Sequence, residues 1–582
     1  MASEPDTDSS TRAATGTPPP TIVHGSTVPA GGPAAVNGTT ADGKPTVSQE
    51  LFRRGDVVIT REQVIGGDQF GDKVVISTGA GDDRVNVDQR RNGVLDVNIN
   101  GSRYEITLAP GQELGLRTGD GNDVVTTRPR VSVNMDVDGG AGNDTITTGA
   151  GRDRIDGGAG NDTIRSGDGR DDVFGNTGND TIDAGRGNDV VYGGDGNDRL
   201  LGGDGRDYIE GGKGNDRIDG GRGDDVLSGG LGDDNLVGGR GNDRVYTGAG
   251  ADRVDNRSGN DVIYGQSGSD NITVARGASN RVVEVDMTAA IGASVTVNGS
   301  AGFTQRTEAD IEMLRSSPNG RQMLGELDRA ADPVTGTGKS TTITELQNEY
   351  NGSAGPVTPP TYLRPGPGGA TVAGGGENTT VSYNPSNHSE QFPAPPVVLF
   401  HELSHAYNGV NGTAQRGTYA GAGPDNGINN DEMQAVGLNN GGAAFDFDRD
   451  PATPATTANP KALSENGLRE EMGLPQRPNY NVGGWSGDMA RADLPTGLPA
   501  AGGTAFAGID SRVSGLLAAL DSGDPAALRA ATQRVASSEI GQSFREETIR
   551  TVDQLAQAQA QPGPVMEMAT PGEAPLSMGP RR

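Results

Sequence analysis

Apolar residues recur along this chain in three rhythms. Between about Gly55 and Val137, short alternating runs such as Val57–Thr60, Lys73–Ile76 and Val94–Ile99 are separated by Gly, Asn and Asp, the pattern of short strands joined by turns. From Gly139 the rhythm locks to nine residues: Ile, Val or Leu returns at the eighth place of every unit, from Ile146 to Ile272. Beyond Thr273, Arg281–Val285 and Val295–Val297 read as strands that cap this periodic block. Residues 303–490 then mix helical patterns with loops, and 509–560 carry helix-compatible spacing around Leu516, Leu517, Leu520, Leu528 and Ile540. The spacing predicts a multidomain chain: a flexible extension over 1–48, a β-rich region and cap over 49–138, a parallel β-roll over 139–273, and its second cap over 274–302. An α+β domain over 303–490, a helical segment over 491–560 and a low-complexity tail over 561–582 complete it.

The periodic block has further fixed positions. Fifteen units follow one another without insertion, each with Gly at its fourth place, from Gly142 to Gly268. Asp occupies the sixth place of every unit: Asp144, Asp153, Asp162, Asp171, Asp180, Asp189, Asp198, Asp207, Asp216, Asp225, Asp234, Asp243, Asp252, Asp261 and Asp270. Glycine permits the positive φ that a tight turn needs and lets carbonyls point inward. Aspartate supplies the hard anionic oxygen that Ca²⁺ selects. The aliphatic residue sits on a short strand facing a thin core between two sheets. Two units make one turn, so ions are expected between a unit and the next but one, giving up to thirteen interior sites. At the usual strand spacing the roll is roughly 35 Å long. These residues resemble the RTX, or hemolysin-type calcium-binding, repeat family, whose motif is Gly-Gly-x-Gly-x-Asp-x-aliphatic-x.

Composition supports a metal-dependent fold. Only 32% of the residues are hydrophobic and 4% aromatic, against 95 glycines, too little apolar material for an ordinary core throughout. The periodic block holds 26 acidic and 14 basic residues, a net of −12, so stacked aspartates repel without calcium and folding is expected to be coupled to metal binding. The net charge of −30 argues against nucleic acid and anionic lipid as partners. The chain has no cysteine, which excludes disulfides and thiolate metal sites. No apolar run approaches the ~20 residues of a membrane span. Met1–Ser48 has no apolar stretch of a secretory leader, so export without a cleaved signal peptide is expected.

A second chemistry lies in Pro395–Asn408, which contains His-Glu-Leu-Ser-His after an apolar lead-in. On a helix the i, i+4 spacing puts His401 and His405 on one face, where two imidazoles can hold Zn²⁺. Glu402 stands beside them as the base that takes a proton from a zinc-activated water and passes it to the leaving amine. No His follows His405, so a three-His set is excluded. Glu432, 27 residues downstream at the start of a second helix, is the preferred third ligand, with Asp431 and His388 as weaker candidates.

His401–Asn408, Asp431–Leu438 and Leu468–Tyr480 together resemble the NleD/XopG-type effector zinc proteases, bacterial proteases injected into host cells and distantly similar to clostridial neurotoxin light chains. The resemblance spans about 300–490. It implies that Arg477 and Tyr480, which match an Arg-x-x-Tyr pair in the neurotoxin relatives, stabilise the tetrahedral oxyanion. Thr379–Asn384 reads as a strand, the edge along which an extended protein substrate adds. Effectors of this type are usually small and lack calcium repeats, and here the chain departs from them. The leading expectation is a secreted, calcium-binding zinc metalloendopeptidase. The alternatives are a non-enzymatic calcium-dependent surface protein or adhesin, and an injected effector or toxin protease.

Overall fold

One aliphatic residue per nine can build a core only if successive turns stack in register, and the chain does this. In the computed structural model, residues 20–479 are described apart from short stretches, the longest being 26–35. Ile146, Ile164, Ile182, Leu200, Ile218, Leu236, Val254 and Ile272 pair in one parallel ladder, each eighteen residues from the last. Ile155, Val173, Val191, Ile209, Leu227, Val245 and Ile263 form the other. Alternate units therefore feed opposite sheets, of thirteen and fourteen strands, and their aliphatic side chains fill the seam between them. The solenoid runs for about nine turns over residues 114–284.

Steric demand explains the glycines. At Gly212, φ is +104° and an added Cβ would lie 2.2 Å from the carbonyl oxygen of Gly194 on the turn below. A side chain there would have to separate the turns.

The roll begins earlier than the unbroken period suggests. Arg84–Gln89, Val124–Thr127 and Thr145–Thr147 are neighbours in one sheet, and Lys73–Ser77, Glu113–Arg117 and Met135–Asp138 in the other. A hairpin of Leu95–Ile99 and Ser102–Thr107 follows Arg84–Gln89 in sequence and pairs on its outer side, so it breaks the period without entering the stack. The expected flexible extension also contributes strands: Thr21–His24 pairs with Tyr104–Thr107, and Val36–Thr39 with Pro45–Ser48. Such short runs carry no signal alone, but an existing sheet edge gives them partners. At the other end Arg281–Glu284 closes the roll, as a cap should, whereas Val295–Asn298 belongs to the next domain.

Among the described residues that domain is built from a four-stranded mixed sheet, a two-stranded ribbon (Arg364–Pro365 with Thr371–Val372) and five α-helices: α1 (Ala301–Ser316), α2 (Pro318–Ala331), α3 (Pro395–Asn411), α4 (Asn430–Val436) and α5 (Glu465–Glu471). Ser300 caps α1 and Ser317 caps α2 through their hydroxyls, and Pro318 opens α2 where no N–H is needed. The strand Thr379–Tyr383 is paired with Thr341–Glu345 on one side and Gly352–Ala354 on the other. It is therefore internal over Val381–Tyr383, where both rows of its hydrogen-bonding groups are engaged, which corrects the reading of it as an edge open to substrate. Residues 491–560 and 561–582 lie outside the described residues.

The roll and this domain share one apolar core, with Phe174, Tyr192, Tyr208, Tyr246 and Tyr264 buried alongside Phe303, Ile311, Leu314 and Val398.

Because each turn contacts only its neighbours, Ile218→Ala should act locally, costing about 2–5 kcal/mol. Hydrogen exchange of the calcium-loaded chain should show lost protection in Arg199–Asp204 and Asn235–Arg240, with Arg154–Ala159 unchanged. Equal loss in every turn would show that the solenoid unfolds as a single block.

Candidate metal centres

Inside the roll the sixth-place aspartates form two columns. In one, the backbone N–H of Asp144 donates to Asp162 Oδ1, that of Asp162 to Asp180, and so on to Asp252 and Asp270, at 2.7–3.3 Å. In the other, the series runs from Asp153 through Asp171, Asp189, Asp207, Asp225 and Asp243 to Asp261 at 2.8–3.1 Å. One carboxylate oxygen of each acceptor is thus consumed by the fold. The other, Oδ2, is buried and accepts no hydrogen bond in fourteen of the fifteen aspartates, all but Asp270. Asp270 Oδ2 instead accepts from the Gln266 N–H and the Thr247 hydroxyl at 2.6 and 2.9 Å, closing the last turn.

These orphaned oxygens fit calcium. A Cβ placed on Gly193 would stand 2.5 Å from Asp198 Oδ2 and 2.6 Å from the Gly211 carbonyl oxygen, so carboxylate and carbonyl converge on space that only glycine leaves open. The same arrangement recurs at Gly175 with Asp180 and at Gly211 with Asp216. Asp83 and Asp123 extend the first column upstream and carry the same orphaned Oδ2. Sequence reasoning placed these two outside the roll because their spacings, 40 and 21 residues, are not multiples of nine. The second column ends on a neutral amide, with the Asp261 N–H donating to Asn280 Oδ1 at 2.8 Å.

Burial, reinforced by neighbouring aspartates, raises these carboxyls: Asp162 to about 6, Asp171 to about 8 and Asp189 to about 9. The metal-free folded roll therefore holds protons that the unfolded chain has released by about pH 4. Stability from this source is present at low pH and is lost as pH rises through 6 to 9.

The second centre is built on α3. Its helix opens with Pro395 and Pro396, ends at Gly412 in the left-handed conformation (φ +71°), and is buried along its length. His401 Nε2 and His405 Nε2 lie 3.2 Å apart, and Glu432 Oε2, from the first turn of α4, lies 3.3 and 3.2 Å from them. All three ligand-type atoms fall within 4.8 Å of one another, the donor set of a divalent metal site. Asp431 is half-buried beside them, its Oδ1 accepting the Glu432 N–H at 3.1 Å. Glu402 is buried on the same helix. His388 and Tyr480 lie outside the described residues.

Sequence reasoning missed Glu465. Fully buried at the start of α5, it places Oε2 2.9 Å from His401 Nδ1. A carboxylate that accepts the Nδ1–H leaves Nε2 as the ligand nitrogen, an orienting contact typical of metal-bound histidines. Two arginines clamp it, Arg469 Nε on Oε1 at 2.6 Å and Arg477 Nη1 on Oε2 at 3.0 Å. Arg477, expected from the resemblance to face the oxyanion, is thus also tied to the carboxylate behind His401. The available signal was the Glu465–Arg469 spacing, which puts acid and base one helical turn apart.

The imidazoles and carboxylates here are electrostatically coupled. Burial alone would lower both imidazoles, yet Glu432 and Glu465 raise His401, and Glu432 raises His405. Burial alone would raise Glu432 and Glu465, yet the imidazoles hold Glu432, and Arg477 with His401 holds Glu465, well below the ordinary carboxylate range.

Comparison with known families agrees with this division. Residues 292–480 match the Peptidase_M91 family, described as "Effector protein". Seven overlapping stretches between residues 138 and 279 match the RTX calcium-binding nonapeptide repeat. The chain thus joins RTX calcium-binding repeats to a Peptidase_M91 effector domain of NleD type, and the family implies protease activity on protein substrates. No curated protein matches the chain.

Two outcomes follow. In calcium-free buffer the β-signal of the chain by circular dichroism should weaken from pH 5 to pH 9, and millimolar Ca²⁺ should restore it at the alkaline end; a signal that strengthens with pH in the absence of calcium would contradict the burial argument. Glu465→Gln should lower the affinity of the His401–His405–Glu432 group for a divalent metal about 10–100-fold, measured with Zn²⁺ as the probe in competition with a chromophoric chelator.

Proposed function

We propose that the chain is a calcium-binding zinc metalloendopeptidase that acts outside the cell producing it, on or within a target. The convergence of His401 Nε2, His405 Nε2 and Glu432 Oε2 beside Glu402 carries this reading. RTX repeats and an effector domain together suggest a secreted or injected protein. No helix among the described residues is long and apolar enough to cross a membrane.

Bound by His401, His405 and Glu432, zinc supplies a Lewis acid that lowers the pKa of water and polarises a peptide carbonyl. The chain's own residues do the rest. Glu402 accepts the proton of the attacking water on its carboxylate and returns it to the leaving amine nitrogen. Glu465 keeps the His401 proton on Nδ1, so the imidazole stays aligned through the reaction. Arg477, fixed by Glu465, and Tyr480 supply hydrogen bonds to the oxyanion.

Glu402→Ala should keep one zinc per chain and lose at least about 100-fold in peptide hydrolysis, because it removes the base and no ligand. Glu432→Ala should lose zinc, and Asp431→Ala should keep it. Metal analysis of the purified full chain with a quenched peptide library reads all three. A wild type that takes up no zinc would end the enzyme reading.

A further inference from the structure

The roll touches the peptidase domain at the part of the domain that orients a zinc ligand. Arg244 Nε and the Tyr264 hydroxyl, both from one outer face of the roll, donate to the main-chain carbonyl of Glu471 at 3.2 Å each. The Tyr246 hydroxyl donates to Glu471 Oε1 at 3.2 Å, and Oε2 accepts the Asn319 N–H of α2 at 3.0 Å. Glu471 is the last residue of α5, and Glu465, which holds His401, is the first. Seven residues thus connect a calcium-bearing turn to a zinc-ligand imidazole. A second tie lies farther along the same face, where Tyr192 and Tyr383 both donate to the buried Asp310 at 2.7 Å, joining the roll, α1 and the central sheet.

The roll ends of these ties sit on calcium ligands. Arg244 follows Asp243 directly, and Tyr264 comes three residues after Asp261; both aspartates carry an orphaned Oδ2. Without calcium the aspartate columns repel and the turns that present Arg244, Tyr246 and Tyr264 lose their fixed geometry. A seven-residue helix cannot hold its conformation without a surface to pack on. The peptidase core would also lose the aromatic side chains it takes from the roll.

We propose that calcium binding by the roll is the switch that assembles the peptidase site, with Glu471 and α5 as the link between them. The zinc arm of this inference rests on the metallopeptidase reading. The two-state element is the roll itself, held folded by calcium and destabilised without it once its carboxyls must ionise, and both metals bias it. Coupling of this kind is reciprocal: if calcium tightens zinc, zinc must tighten calcium by the same factor.

The test uses the full chain, stripped of calcium by gel filtration in metal-free buffer with no chelator left, since a chelator would take zinc too. In zinc-free protein, hydrogen exchange of residues 465–471 should slow when calcium is added, and should not respond to Mg²⁺. Zinc affinity should rise about 10–100-fold with calcium, the range expected when an orienting contact is gained. The calcium midpoint should fall when zinc is present. The roll variant Arg244→Ala/Tyr246→Phe/Tyr264→Phe should keep the calcium-induced β-signal while its zinc affinity in calcium drops toward the calcium-free value. If 465–471 exchange at the same rate with and without calcium while the roll's own exchange changes, the switch is refuted. Equal zinc affinity in both conditions refutes it too and leaves the metallopeptidase reading standing. If the calcium-loaded chain takes up no zinc, that reading fails, and the exchange of 465–471 in zinc-free protein still decides the coupling.

Discussion

The fold depends on a carboxylate oxygen with no partner. Every sixth-place aspartate before Asp270 spends Oδ1 on a backbone N–H of the neighbouring turn and leaves Oδ2 buried with nothing to accept from. In a conventional core such a group would be a defect costing several kcal/mol. Here the unpaired oxygen repeats in register along two columns, an arrangement that fits the calcium binding the RTX repeats imply. The thin aliphatic seam sets the shape, and burial of the columns opposes ionisation of their carboxyls. The usual relation between core and metal is reversed, because the apolar contacts are too sparse to carry the turns alone.

Much of this was legible in the sequence. A nine-residue period fixes turn length, sheet assignment and the inward positions, because each is a consequence of repetition and not of distant contacts. The period failed as a guide where the stack continues through insertions, as at Asp83 and Asp123, since the ladder needs registry in space and not in residue number. The zinc-type site was half legible. His401 and His405 share a helix face by local geometry, and Glu432 was reachable by elimination. Glu465 was not, because its role arises from tertiary packing that brings α5 against α3. The docking face had a readable sign that passed unnoticed. At the ninth place of the units, aromatic residues occur at Phe174, Tyr192, Tyr246 and Tyr264, all in alternate units and so all on one sheet.

The two centres handle buried charge in opposite ways. In the roll, like charges face one another and await an external cation. Around α3, opposite charges are built in: Glu465 is held by Arg469 and Arg477, and its second duty is to hold His401. A paired buried carboxylate of this kind keeps its charge and its place together, which suits a group whose task is to aim an imidazole. The roll's carboxylates have no cationic side chain between them, whereas Glu465 is held by two arginines of its own domain.

The one-sided aromatic stripe restricts how the repeat array can change in length over evolution. Insertion or loss of a single nine-residue unit between Tyr192 and Tyr246 would put the two on opposite sheets, turning one of them away from the side that meets α1 and α5. Units could be added in pairs, since eighteen residues restore the face, but a pair placed between Tyr192 and Tyr246 would move Tyr246 one strand spacing, about 4.8 Å, out of reach of Glu471. Between the two ties the number of units is therefore frozen, and length variation is confined to the turns before Phe174. A solenoid that elsewhere could grow or shrink freely is here a ruler with one calibrated segment.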